Sequence, residues 1–239
     1  RLTELDLYGN YPGVSGARAI VETPAPSLES LDLGACHLDS EAFIALSKGE
    51  LPALTSLNLC LNSSTDEGME ALLRARFVHQ LTRLDLAHLA FSDRMARCLG
   101  GCSSLHRLKN LNLSFIRVSE EGVVHILQSP HLRSLNSLDL AYVEMGDRGT
   151  QALSANSAFS HLTDLNLHGV QCSDVGAEAL ANSELTSLRG LQLPGNPISA
   201  SGISALAKSA TLAGMSSLSL SWCPIRDAGV EALLEAGWN

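Results

Sequence analysis

The chain has 239 residues, 45% hydrophobic but only 4% aromatic, so its core has to be built from Leu, Ala, Ile and Val. A formal net charge of −9 leaves no surplus of Lys and Arg to neutralise phosphates. That argues against a nucleic-acid groove and fits a basic or mixed protein partner. No apolar run approaches the roughly 18–20 residues of a membrane span, and no basic segment followed by an apolar one opens the chain.

Taken from the N-terminus, Leu2, Leu5 and Leu7 form an L-x-x-L-x-L triplet. It restarts at Leu28, Leu54, Leu81, Leu108, Leu135, Leu162, Leu188 and Met215, every 26 or 27 residues. The last two leucines of a triplet share a face only in a strand. The second half of each copy has the other period: in 162–181, Gly176, Ala179 and Leu180 share a face only on a helix. Each copy therefore reads as strand, tight turn and helix. Three residues past each triplet stand Asn10, Cys36, Asn62, Leu89, Ile116, Val143, Val170, Asn196 and Cys223, a column polar at both ends and apolar in the middle. Six residues past it come Asp39, Thr65, Ser92, Ser119, Ser173 and Ser199, residue types that cap helix N-termini.

Three positions further lie Gly16, Gly68, Gly122, Gly149, Gly176, Gly202 and Gly229. Glycine inside a helix costs about 1 kcal/mol relative to Ala, so its recurrence points to close approach of the helix backbone to the strand layer. Ala19, Ala45, Ala71, Ala152, Ala179, Ala205 and Ala232 are expected to pack on the same side. Three residues before the triplets, Leu51, Val78, Leu105, Leu132, Phe159, Leu185 and Leu212 are expected to close the core. Tyr11–Pro26, with three prolines, keeps the period and reads as a distorted outer segment of the first repeat.

One unit alone leaves a strand face and a helix face uncovered, and stacking buries both. The expected architecture is an α/β solenoid, a horseshoe of about nine repeats of 26–27 residues, with parallel strands on the concave face and helices on the convex face. It forms a single domain, 1–239. Neither end carries the polar face of a capping repeat, so the chain is expected to be part of a longer protein.

These triplets and columns resemble the ribonuclease-inhibitor-like class of leucine-rich repeat proteins, whose periods lie between about 20 and 29 residues. Within it, the Gly-Ala-x-Ala-Leu-Ala of 176–181, Gly-Ile-Ser-Ala-Leu-Ala of 202–207 and Gly-Ala-Arg-Ala-Ile of 16–20 are similar to the GALA-type repeats of bacterial type III effectors. The resemblance implies that the Asn column bonds the loop backbone. It also implies a protein-recognition domain in an effector that works inside a host cell. GALA effectors join their repeats to an F-box, and no such segment is visible in this sequence.

In such a solenoid the residues between the strand leucines become stripes on the concave surface. The central stripe reads Asp6, Asp32, Asn58, Asp85, Asn112, Asp139, Asn166, Gln192 and Ser219. It is either a hydrogen-bonding floor for a partner or a set of soluble structural residues. Two columns on, Leu61, His88, Phe115 and Tyr142 fall side by side, with Trp222 apart from them. They are either an exposed hot spot or rings tucked under the turn. The partner-binding candidates are Asp32, Asp85, His88, Asn112, Phe115, Asp139, Tyr142, Asn166 and His168.

Cys60, His88 and Asp85 can be drawn as a nucleophilic set, but no oxyanion hole or closed pocket accompanies them. His125 replaces a packing Ala and is expected to be a satisfied buried residue. Cys98 and Cys102, four apart, lack further ligands of zinc-site spacing. The other cysteines, Cys36, Cys60, Cys172 and Cys223, show no C-x-x-C, which points to a reducing compartment. The sequence therefore predicts a non-enzymatic protein-binding module without cofactor or metal, partnered by a protein rather than nucleic acid or membrane. The other reading is a substrate-positioning domain of a ubiquitin ligase or other transferase whose catalytic part lies elsewhere.

Overall fold

The structure, a computed structural model, describes residues 1–236; the last three residues of the expected repeat domain lie outside them. Among the described residues nine three-residue strands alternate with nine α-helices, from the strand Glu4–Asp6 to the helix Arg226–Glu235. The strands form one parallel sheet in chain order, each paired only with its sequence neighbours. Register follows the repeat: Leu31 pairs with Leu57, Leu84 with Leu111, Leu138 with Leu165. Both strand leucines of the inner repeats are buried, and the column that precedes the triplets, from Leu51 to Leu212, is at most 2% exposed. The segment Tyr11–Pro26 contains a regular helix, Gly13–Glu22, started by Pro12.

The cap column behaves as its residue types dictate. Asp39, Ser92, Ser119, Ser173 and Ser199 each accept a backbone N–H of the first turn, whereas Thr65 holds the cap position without a side-chain bond.

The glycine column needs a correction. A Cβ on Gly176 would lie 2.6 Å from Cys172 Sγ and 2.8 Å from Asp147 Oδ1; on Gly202 it would lie 2.6 Å from Asp174 Oδ1 and 3.0 Å from Ala177 Cβ. The crowding atoms belong to the turn just before the helix and to the helix of the preceding repeat, not to the strand layer. Glycine lets neighbouring helices approach each other. The inner face of the helices before the last one is also shifted by one residue from expectation. Met69, Val123, Ala177 and Ile203, one past the glycines, are at most 1% exposed. Ala19 is exposed and Ala71, Ala152, Ala179, Ala205 and Ala232 are only half-buried, with Ala45 alone in that column buried. His125 is corrected as well: 37% of its side chain is exposed, with Nε2 3.9 Å from Glu121 Oε1, because its position faces along the helix layer rather than into the core.

Bonds between repeats hold both ends of the helices. At the N-terminal end, Asp147 accepts from Ser173 N (2.8 Å), Ser173 Oγ (2.6 Å) and Gly176 N (3.0 Å) of the next repeat. Asp174 accepts the equivalent three from Ser199 and Gly202. At the other end, Ser129 Oγ donates to Gly100 O, Asn156 Nδ2 to Leu127 O and Ser209 Oγ to Ala181 O. These acceptors are final carbonyls of the preceding helices, which no intrahelical N–H can reach.

Candidate functional site

Each strand must turn sharply into its loop, and the backbone does so through a left-handed residue three positions past the strand. That column holds Gly9, Gly169 and Gly195 at φ 73°, 64° and 66°, where glycine meets no Cβ penalty. In the intervening repeats it holds Ala35 (φ 51°), Leu61 (56°), His88 (57°), Phe115 (59°) and Tyr142 (59°), and in the last repeat Trp222 (63°). A side chain forced into this region costs about 1–2 kcal/mol, and bulky residues visit it rarely. The hydrogen-bonded ladder between repeats runs up to this column, since His88 N donates to Ser114 O (2.9 Å), Phe115 N to Ala141 O (2.8 Å) and Tyr142 N to His168 O (2.7 Å). The conformation is therefore fixed on both sides.

The left-handed turn throws these side chains outward. Leu61, Phe115 and Tyr142 are 45%, 41% and 46% exposed, and His88 is exposed too, so the alternative of rings tucked beneath the turn does not hold. The three rings form one stack. His88 lies on Phe115 with centroids 4.2 Å apart and planes 9° apart; Phe115 lies on Tyr142 at 4.5 Å and 23°. Tyr142 continues to His168 at 4.5 Å, and its hydroxyl shares a 3.0 Å hydrogen bond with His168 Nε2. Glycines make room at the far end: a Cβ on Gly169 would meet Tyr142 Cδ1 at 3.1 Å, and one on Gly195 would meet His168 Cδ2 at 3.4 Å. Because ring faces cover one another, the ridge presents ring edges to its surroundings.

Beside the ridge runs a groove of about 1170 Å³ lined by His88, Phe115 and Tyr142 together with Phe91, Val118, Arg117 and Glu144 from the loops. Its bottom is made by Leu89 and Ile116, two of the aliphatic residues in the otherwise polar Asn column. Where that column is polar, Asn62 and Asn196 are buried and bind the loop: Asn196 Oδ1 accepts from Cys172 N, while its Nδ2 donates to Leu167 O and Leu193 O. The aliphatic middle thus trades this polar knot for an apolar groove bottom. Arg117, Glu144, Phe91 and Val118 were not among the sequence candidates; the apolar run in the Asn column was the signal that could have pointed to them.

Asp32, Asp85, Asn112, Asp139 and Asn166 do form a ladder, and much of its bonding capacity is spent internally. One side-chain oxygen of each accepts the N–H two residues on, as in Ser114 N to Asn112 (3.0 Å) and Ala141 N to Asp139 (2.9 Å), which starts the turn. The second carboxylate oxygen accepts from the neighbouring amide: Asn58 to Asp32 (2.9 Å), Asn112 to Asp85 (2.9 Å) and Asn166 to Asp139 (3.1 Å). Alternating Asp and Asn pair an acceptor with a donor, where adjacent carboxylates would repel.

The Cys60, His88 and Asp85 set is not assembled for nucleophilic chemistry. Burial, followed by the negative charge of Asp85, pushes the Cys60 thiol up to about 11, the opposite of what an attacking thiolate needs. His88 is engaged with Phe115. All six cysteines are free, and burial raises Cys172 to about 12. Among the described residues no helix is long and apolar enough to cross a membrane, and no group of three or more His, Cys, Asp or Glu side chains is placed to hold a metal ion.

Set against known proteins, residues 184–207 and 215–234 match a leucine-rich repeat family. Among solved structures, the crystal structure of an internalin C2 from Listeria monocytogenes superposes with a TM-score of 0.60 at 19% identity, over 92% of this chain and 80% of that one. The comparison with curated proteins finds no match.

Proposed function

Given that this chain is a leucine-rich repeat solenoid, a fold that generally serves protein–protein interaction, we propose that it binds a protein partner through the ridge His88, Phe115, Tyr142 and His168 and the groove beside it. The polar ladder Asp32, Asp85, Asn112, Asp139 and Asn166 forms the adjoining floor of the contact. The observation that carries this reading is that three ring-bearing side chains occupy, in consecutive repeats, a left-handed position that three other repeats give to glycine. Stacking contributes about 0.5–1.5 kcal/mol per pair, which roughly offsets the backbone cost and leaves little stability gain to explain the rings. Exposed rigid rings are what interfaces use as anchors.

The recognition is non-catalytic in this reading: the raised Cys60 thiol offers no nucleophile, and the groove is open along its length. The resemblance of 176–181 and 202–207 to GALA-type repeats supports a role as the recognition part of a bacterial effector, and six free thiols support action in a reducing compartment of a host cell. The test is affinity capture from host-cell lysate, comparing the wild-type chain with a Phe115→Ala/Tyr142→Ala variant of unchanged circular dichroism. A partner captured by wild type and lost by the variant supports the proposal; equal capture refutes it.

A further inference from the structure

The net charge of −9 points to a basic or mixed partner, yet the charges are not spread evenly. Between Asp93 and Asp139 the sequence holds six cations (Arg94, Arg97, Arg107, Lys109, Arg117 and Arg133) and two acids, Glu120 and Glu121. The fold then sorts them. Glu120 and Glu121 open a helix on the edge where strands turn into helices, and Glu121 pairs there with Arg148 (2.9 Å). Arg107, Lys109 and Arg133 lie on the opposite edge, where helices return to strands. They are exposed, and none of them forms an ion pair among the described residues.

Lys109, Arg133, Asn136 and His161 line one cleft of about 620 Å³ on that edge, with Ser and Thr hydroxyls and no carboxylate in its lining. Asp164, which opens the next strand, is turned aside: it accepts from Thr163 Oγ1 at 2.8 Å and lies against Gly190. Neutralising the helix C-termini does not account for Lys109 and Arg133. That interaction fades within the last turn, and the helix Glu120–Leu127 ends six residues before Arg133, while Lys109 directly precedes the strand Asn110–Asn112.

We propose that this edge is a second docking surface, taking an acidic segment of a partner protein across Lys109, Arg133 and His161. The complementarity is of charge and of length. Repeats stack about 5 Å apart, so Lys109, Arg133 and His161, in three successive repeats, span about 10 Å, the reach of about three residues of extended chain. A duplex or single strand would need more phosphates neutralised than these few cations supply. The surface is independent of the aromatic ridge.

The experiment is fluorescence anisotropy of a labelled oligoglutamate peptide of about ten residues, titrated with the full chain. The wild type is expected to bind at low salt and to weaken at least about tenfold at ~0.3 M salt. Lys109→Glu/Arg133→Glu is expected to weaken binding at least about tenfold at low salt, with Lys109→Gln/Arg133→Gln in between and circular dichroism unchanged in both. Phe115→Ala/Tyr142→Ala should bind the peptide as wild type does. No binding by wild type at low salt, binding unaltered by the charge reversal, or tighter binding of an oligothymidylate of equal charge would each overturn the proposal.

Discussion

Asn196 shows what one side chain settles. It is 1% exposed and joins its own turn to the preceding repeat through Cys172 N and Leu167 O. Replacing it with Val, the residue found at the equivalent positions 143 and 170, leaves those backbone groups buried without partners. We expect Asn196→Val to cost about 1–3 kcal/mol, read as a lower urea midpoint at constant slope. The sequence showed which positions form this column, but not what its aliphatic members do, because an apolar residue there has no bond to announce its role. Phe115 and Tyr142 were ambiguous for a related reason. Their direction depends on a left-handed φ, and the one hint in the sequence is that Gly9, Gly169 and Gly195 share their column. His125 was misjudged because its column faces along the helix layer and not toward the core.

The helix Asp174–Ala181 shows how neighbouring elements hold each other. Its first residue, Asp174, receives three hydrogen bonds from the next repeat while its cap, Ser173, is held by Asp147 of the one before. Burial works against ionisation of Asp174, but the hydrogen bonds from Ser199 and Gly202 outweigh it and hold its carboxyl below the usual range. Hydrogen bonds from Ser119 do the same for Asp93. A carboxyl with a lowered folded-state pKa stabilises above its unfolded value, about 3.9, and that contribution is lost as pH falls through the folded value. Asp93→Asn/Asp174→Asn should therefore be less stable than wild type at pH 7, with the difference shrinking below about pH 4 in urea titrations.

Glycine in the same helices makes a second prediction. Gly176→Ala gains about 1 kcal/mol in helix propensity but places a Cβ 2.6 Å from Cys172 Sγ and 2.8 Å from Asp147 Oδ1. The crowding wins, and we expect a net loss of about 1–3 kcal/mol in chemical denaturation. Within one repeat, the glycine pattern suggested contact with the strand beneath. The crowding atoms instead belong to the residue four before the glycine, such as Cys172, and to the preceding repeat, such as Asp147, and a single-repeat pattern cannot reveal the second.

Across the whole solenoid, stacking places all strands in one sheet and directs like ends of every element to the same edge. The period of the leucines made this architecture, its register and most of its core legible in the sequence. Surface properties were less so, because they arise from columns that run across repeats. The edge where strands turn carries the aromatic ridge; the edge where helices return carries Lys109 and Arg133. Partner recognition and stability are the two competing explanations for the ridge, and their energies differ. Truncating core aromatics costs about 3–5 kcal/mol each, enough for a double change to unfold or nearly unfold the domain.

Thermal unfolding and partner capture, followed together for Phe115→Gly/Tyr142→Gly, separate the two, because this variant installs the residue that other repeats use at the turn. Recognition by the ridge predicts a midpoint within about 5 °C of wild type and loss of the captured partner. A midpoint lowered by much more, with capture by the remaining folded protein unchanged, would contradict it.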